Sequence, residues 1–155
     1  MKKAIHYLLM LTFPVFALIL IYLLFFNHRG FYGSSMSFWE HFKFSSNLVP
    51  FKTITMYTND FLNARLNRSI PFRNLAGNVV LFIPWGIYIP FLFKKNRALL
   101  RFILTMFILL LSIEVLQITL RRGMFDIDDI ILNMAGALIG YAFWSIPFIK
   151  RLLTK

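Results

Sequence analysis

Glu114 stands inside an otherwise apolar run and is followed closely by Gln117, Arg121, Arg122, Asp126, Asp128, Asp129 and Asn133. A carboxylate in the middle of a lipid-length segment costs on the order of 2.5 to 3.5 kcal/mol by insertion scales, so such groups have a partner or a task. Three chemistries fit these residue types. A buried carboxylate such as Glu114 is suited to general acid or base work, because burial raises its pKa. Arginines pair bidentately with phosphate, which gives Arg73, Arg121 and Arg122 an anionic headgroup to hold. Asp126 and Asp129 supply the oxygen ligands that divalent cations take, but the ligand set is incomplete. His6, His28 and His41 lack ligand spacing and the chain has no Cys, so neither a metal site nor a cofactor is expected.

Helix geometry sorts these polar groups into stripes. Glu114, Gln117 and Arg121 are spaced i, i+3, i+7 and share one face; Asp126, Asp129, Asn133, Gly136 and Gly140 form a second stripe; Asn74 and Asn78 share a third face above Pro84. The turn from Arg121 to Asp128 makes the third and fourth long segments antiparallel neighbours, which predicts that Glu114 and Asn133 face each other. Asp126 is placed to cap the fourth segment, with Asp129 at the matching third position. The ligand-binding set expected is Asn78, Glu114, Gln117, Arg121, Arg122, Asp126, Asp129 and Asn133, lining a pocket that opens outward. Interhelical hydrogen bonds alone could also explain single members of such stripes. The Gly136 and Gly140 spacing is read as a close-packing device, and Gly86 with Pro84 as a place where the second segment could open around the pocket.

The elements that must hold these groups are apolar helices. The 155 residues are 59% hydrophobic and 15% charged, above the roughly 45 to 50% apolar share of soluble domains. Four runs, 4–26, 75–93, 98–120 and 130–149, have the length of about 20 residues that crosses a hydrocarbon core. The expected fold is an all-α membrane protein with four transmembrane helices in a single domain, 1–155. The first run is longer than a secretory h-region and no small-x-small cleavage site follows it, so it reads as a signal anchor.

The 17 Lys and Arg against 6 Asp and Glu flank the spans and form no stripe on a soluble face, which favours anionic lipid over nucleic acid. Lys2, Lys3, Lys94, Lys95, Arg97, Arg101, Lys150, Arg151 and Lys155 crowd into one short hairpin and two tails. The positive-inside rule therefore puts both termini in the cytoplasm. The loop 27–74 is then outside. Asn27, Gly30, Gly33, Ser34 and Ser35 give its start turn chemistry, and Ile54, Tyr57, Phe61 and Ala64 fall at helical spacing, which suggests an interfacial helix.

Four strings carry a resemblance: Asn47-Leu-Val-Pro-Phe51, Gly77-Asn-Val-Val-Leu-Phe-Ile-Pro-Trp-Gly86, Ser112-Ile-Glu-Val-Leu-Gln117, and Phe125-Asp-Ile-Asp-Asp-Ile-Ile-Leu-Asn133 followed by Gly136 and Gly140. In this order and spacing the chain resembles the VanZ-like membrane proteins. The resemblance implies a small multi-pass protein of the bacterial cell membrane, similar to one that gives low-level teicoplanin resistance in glycopeptide-resistance clusters. It implies no reaction mechanism. The partners expected are membrane lipids and either a lipid-linked cell-wall precursor or a glycopeptide, with a homo-oligomer left open. Three readings of function follow: a protein that binds or modifies an envelope lipid or precursor and lowers glycopeptide susceptibility, an intramembrane enzyme with Glu114 as catalytic acid or base, and an accessory subunit that contacts another envelope protein through the outer loop.

Overall fold

The computed structural model describes residues 2–26, 36–63 and 67–153. Four long helices dominate it: α1 (Lys2–Phe25), α4 (Ser69–Leu92), α5 (Leu99–Thr119) and α6 (Ile127–Ser145). Each is long and apolar enough to cross a membrane. Shorter elements fill the connections: α2 (Phe38–Phe44), β1 (Ser46–Asn47), α3 (Lys52–Leu62), a 3-10 turn at Lys94–Arg97, β2 (Phe125–Asp126) and α7 (Pro147–Leu153). Four spans bring both termini to one end of the bundle, where α7 packs against α1. The segment carrying α2, β1 and α3 covers the other end, called here the loop end.

Two expected boundaries move, and proline explains both. The second span starts at Ser69, not 75, because Pro71 lies in the first turn, where a missing N–H is tolerated, so helix continues through the polar Arg73 and Asn74. The fourth span ends at Ser145, not 149. Ile146 precedes Pro147 and is held extended at φ −56°, ψ 125°, after which Pro147 opens α7 as a separate helix. The helical spacing of Ile54, Tyr57 and Phe61 is realised as α3; the last member of that stripe, Ala64, and the turn residues Asn27 to Ser35 lie outside the described residues.

The core lies between α4 and α6, which run parallel. Phe82 of α4 and Ala137 of α6 are buried there, joined in one cluster by Phe102, Met106 and Leu110 of α5 and by Leu20 and Leu24 of α1. Backbone proximity sets this interface: a Cβ at Gly136 would meet the Val79 carbonyl oxygen, one at Gly140 that of Ile83, and one at Gly86 that of Ala137. Gly86 is therefore a close-packing residue too. α4 runs unbroken through Pro84 and Pro90, so the expectation that Pro84 and Gly86 open this helix is not met. Between apolar helices in lipid there is little hydrophobic driving force, and association rests on such close contact and on interhelical hydrogen bonds. Tyr88 supplies one, its hydroxyl donating to Thr12 Oγ1 at 2.9 Å and tying α4 to α1.

α2 carries a capping box that periodicity alone does not reveal. The Ser37 N–H donates to Glu40 Oε2 at 2.8 Å, and the Glu40 N–H donates to Ser37 Oγ at 3.3 Å. The Ser37 backbone bond, then its side-chain bond, hold the Glu40 carboxyl below its ordinary value of 4.5. A lowered folded-state pKa contributes stability that is complete above the ordinary value and disappears as pH falls through the lowered one. Acidification through the lowered Glu40 pKa, below the ordinary carboxylate value, is thus expected to fray α2, visible as a change in Trp39 emission. E40Q should remove that acid transition; an unaltered transition in E40Q would assign it elsewhere.

Candidate functional site

The third span ends in a Schellman motif. The Arg122 N–H donates to the Gln117 carbonyl at 2.8 Å and that of Arg121 to Ile118 at 3.2 Å. Arg121 occupies the left-handed position at φ 53°, where glycine is usual. Because the helix stops at Thr119, Arg121 leaves the face of Glu114 and Gln117. Its Nη2 donates to the Met36 carbonyl at 2.6 Å, pinning the start of the α2 segment. The expected three-residue stripe therefore reduces to Glu114 and Gln117, both at most 2% exposed.

These two point in different directions. Gln117 Nε2 donates to the Leu24 carbonyl at 2.9 Å, near the end of α1 where carbonyls lack helical partners. Glu114 Oε2 accepts the backbone N–H of Asp126 at 2.9 Å and fixes the entry of α6. Asp126 is the N-cap, as its position predicts, but its Oδ1 takes the N–H of Asp128 at 2.9 Å and Asp129 plays no part in the cap. Asp129 instead accepts from Asn78 Nδ2, joining α6 to α4. Asn74 is separate: it bonds the Ile70 carbonyl of its own helix at 2.9 Å.

Asp126 also gathers the loop. Its Oδ1 accepts from Asn47 Nδ2 at 3.0 Å and its Oδ2 from Thr53 Oγ1 at 2.6 Å. Asn47 Nδ2 reaches Thr53 Oγ1 at 3.0 Å as well, closing a small ring of bonds. Beside it Ser46 and Asn47 pair in parallel with Phe125 and Asp126.

Asp128, fully buried, is the side chain that stripe reasoning leaves out. It accepts three backbone N–H groups: Phe51 at 2.6 Å on Oδ1, and Thr53 at 2.7 Å and Ile54 at 3.1 Å on Oδ2. These are first-turn donors of α3, which otherwise lack partners, and the helix dipole favours a carboxylate there. Phe51, the N-cap of α3, has φ 65°, a strained conformation for a bulky residue. The Asp128 bond to its N–H helps hold it. The only sequence signal for Asp128 is a second acidic residue two positions after a cap; the string Asn47 to Phe51 that must receive it lies far away in the chain.

The structure thus joins Asn47, Thr53, Glu114, Asp126 and Asp128 in one network, with Asn78 and Asp129 paired beside it. Glu114 is expected to face Asn133; its Oε2 is engaged by the Asp126 backbone N–H. The Oδ1 of Asn133, itself 4% exposed, has no hydrogen-bond partner among the described residues, which is unusual for a buried amide. No group of three or more metal-ligating side chains occurs among the described residues. Both Asp126 oxygens are engaged by donors, and Asp129 is turned to Asn78. Arg73 is exposed on α4.

Arg122 has a different setting. With Ile21, Phe25, Phe26, Leu116 and Leu120 it lines an apolar groove of about 460 Å³ between α1 and α5 at the loop end. The groove adjoins Gln117 through the Arg122 backbone bond.

The VanZ/LLP1 family model matches residues 13–150, from the middle of α1 into α7. The chain belongs to the VanZ/LLP1 family. Over 75 residues it is 32% identical to Protein VanZ of Enterococcus faecium, a segment covering 48% of this chain and 46% of that protein, so the match spans about half of the relative's length. No solved structure matches. Within this VanZ/LLP1 chain the strings that carry the resemblance meet in space: Asn47 to Phe51, with Thr53 and Ile54 just after it, supplies donors, Phe125 to Asn133 the carboxylates, Ser112 to Gln117 the brace behind them, and Gly77 to Gly86 the Asn78 partner of Asp129.

Proposed function

We propose that this VanZ-like protein of the bacterial cell membrane binds a phosphate-bearing envelope lipid or lipid-linked cell-wall precursor at its loop end, on the outer face, and thereby lowers glycopeptide susceptibility. The observation that carries this reading is the groove between α1 and α5, whose wall is apolar and whose polar side chain is Arg122. That pattern matches an amphiphile: acyl chain along Ile21, Phe25 and Leu116, phosphate on the guanidinium. The adjoining hydrogen-bonded cluster supports the reading by holding the groove's polar end in one shape, which reduces the ordering cost of binding. The clustering of Lys and Arg at the terminal end supports an outward loop end.

Glu114 has a positioning role here through Asp126, and the Asn133 amide oxygen, buried and with no hydrogen-bond partner among the described residues, is the second polar group to test. Cells producing wild-type protein should withstand more teicoplanin than cells without it, and a defined lipid should co-purify. Losing one charge-assisted pair costs about 1.5 to 3 kcal/mol, so R122Q should weaken lipid retention roughly tenfold or more and reduce the phenotype with it. N133A should act in the same direction. Lipid recovery by mass spectrometry at matched membrane levels decides the matter: R122Q and N133A retaining both lipid and phenotype would rule out this site.

A further inference from the structure

At the opposite end of the bundle from the proposed precursor site, a separate cavity of about 220 Å³ lies between α1, the end of α4, the 3-10 turn and α7. Its lining divides by chemistry. Met10, Phe91 and Leu153 supply an apolar part; His6, Lys94 and Arg97 supply N–H donors and positive charge. We infer that this cavity is a binding site for the phosphodiester headgroup of an anionic membrane lipid, taken from the leaflet that faces the termini.

Charge makes the first argument. None of the chain's 6 acidic residues falls in 1–39, 61–113 or 130–155, so no acidic side chain of this end neutralises Lys94 and Arg97. Lys95, Arg101, Lys150 and Arg151 add to the same field. An uncompensated cationic cavity between helix ends at the membrane boundary recruits anionic lipid.

Preorganisation makes the second. Arg97 is held from two sides: its Nε donates to the Pro90 carbonyl at 3.3 Å, and its own carbonyl accepts the Tyr141 hydroxyl at 2.7 Å. Asn96, buried beneath it, donates from Nδ2 to Thr105 Oγ1 at 2.6 Å and fixes the turn against α5. His6 lies over Phe91 with ring centroids 5.0 Å apart. The cation-bearing turn is therefore built before any ligand arrives.

Size and level make the third. The volume lies below the roughly 300 to 1,000 Å³ typical of sites that enclose a whole drug-sized ligand, which suits a headgroup whose chains stay in the bilayer. Phe91 and Met10 belong to candidate spans and Lys94 follows the end of one, so the cavity straddles the apolar boundary, where phosphate meets the first methylenes. The apolar part favours a lipid over free phosphate.

The test is thermal unfolding of the full chain in neutral detergent with added phosphatidylglycerol, phosphatidylcholine or inorganic phosphate. Phosphatidylglycerol should raise the unfolding temperature more than phosphatidylcholine does, and K94Q, an exposed substitution, should remove most of that difference. K95Q, outside the cavity lining, should keep it. Equal shifts with the two lipids, or equal losses in K94Q and K95Q, would reduce the effect to general surface charge and overturn the site. Inorganic phosphate reproducing the shift would overturn the lipid assignment. Teicoplanin susceptibility of R122Q leaves this result untouched, so the two sites stand or fall separately.

Discussion

Replacing Asp128 with alanine is expected to release the start of α3 from the bundle and to lower stability by about 3 to 5 kcal/mol, the scale for removing one partner from a buried charged interaction. The buried carboxylate takes three backbone N–H groups at 2.6 to 3.1 Å. Bonds to an ionised group contribute about 1.5 to 3 kcal/mol each, and three sharing one acceptor are not additive. The loss falls on the N-terminus of α3, whose first-turn donors have no helical acceptor, and on Phe51, whose positive φ loses its support. D128N keeps one oxygen but turns an NH2 toward N–H donors, so an intermediate loss is expected. Hydrogen exchange over 45–54 should accelerate in D128A, with a fall in unfolding temperature in detergent. Wild-type exchange in that segment would mean that β1 and Asn47 hold the loop without Asp128.

The second large effect is at the glycines between α4 and α6. A Cβ at Gly140 runs into the Ile83 carbonyl oxygen, and one at Gly136 into that of Val79. Backbone cannot rotate aside as a side chain can, so the helices must separate. Overpacking typically costs about 1 to 3 kcal/mol, and G140A should lie at or above the top of that range. G136A should behave alike, with the pair non-additive because both act by opening one interface. Gly77 is the internal control: nothing lies within 4 Å of a Cβ there. In a helix, Gly to Ala gains up to about 1 kcal/mol when space permits, so G77A should be neutral or stabilising. G140A melting with wild type, or G77A falling as far as G140A, would show that the close approach of α4 and α6 does not limit stability.

Separation of α4 from α6 also bears on the site. Asn78 and Asp129 bridge the same two helices above the glycines, and Asp126 and Asp128 sit at the head of α6. A shift of α6 moves both carboxylates relative to the loop they hold. G140A should therefore also weaken protection of 45–54, though less than D128A does. The two variants differ in where the disturbance starts, which exchange at α3 and at the middle of α4 would resolve.

Much of the fold is legible in the sequence because its dominant constraint is local. In lipid, every backbone polar group must be satisfied within the segment, so a long apolar run is a helix. Four such runs, the capping role of Asp126 and the packing role of Gly136 and Gly140 follow from composition and spacing alone. The ends of the second and fourth spans depend on Pro71 and Pro147, whose effect is set by position within a turn, and hydropathy does not register that. The Ser37 to Glu40 capping box was readable by its spacing, although the helix it opens is too short for periodicity to reveal.

The candidate site divides in the same way. Residue types and depth placed polar groups at one end of the bundle, and the ordered strings Asn47 to Phe51 and Phe125 to Asn133 carried the family resemblance. Only the tertiary structure decided which atoms meet. Asp128 lies off the stripe defined by Asp126, Asp129 and Asn133, and its partners are backbone N–H groups, which carry no side-chain signature. Arg121 left the stripe because a left-handed residue ended its helix, and Arg122 became the polar side chain of a groove formed with α1. Spacing fixes the face of a helix that a side chain shares; it cannot say where the helix stops, or which distant loop supplies the donors, because hydrogen-bond partners are chosen in space after the chain has folded back.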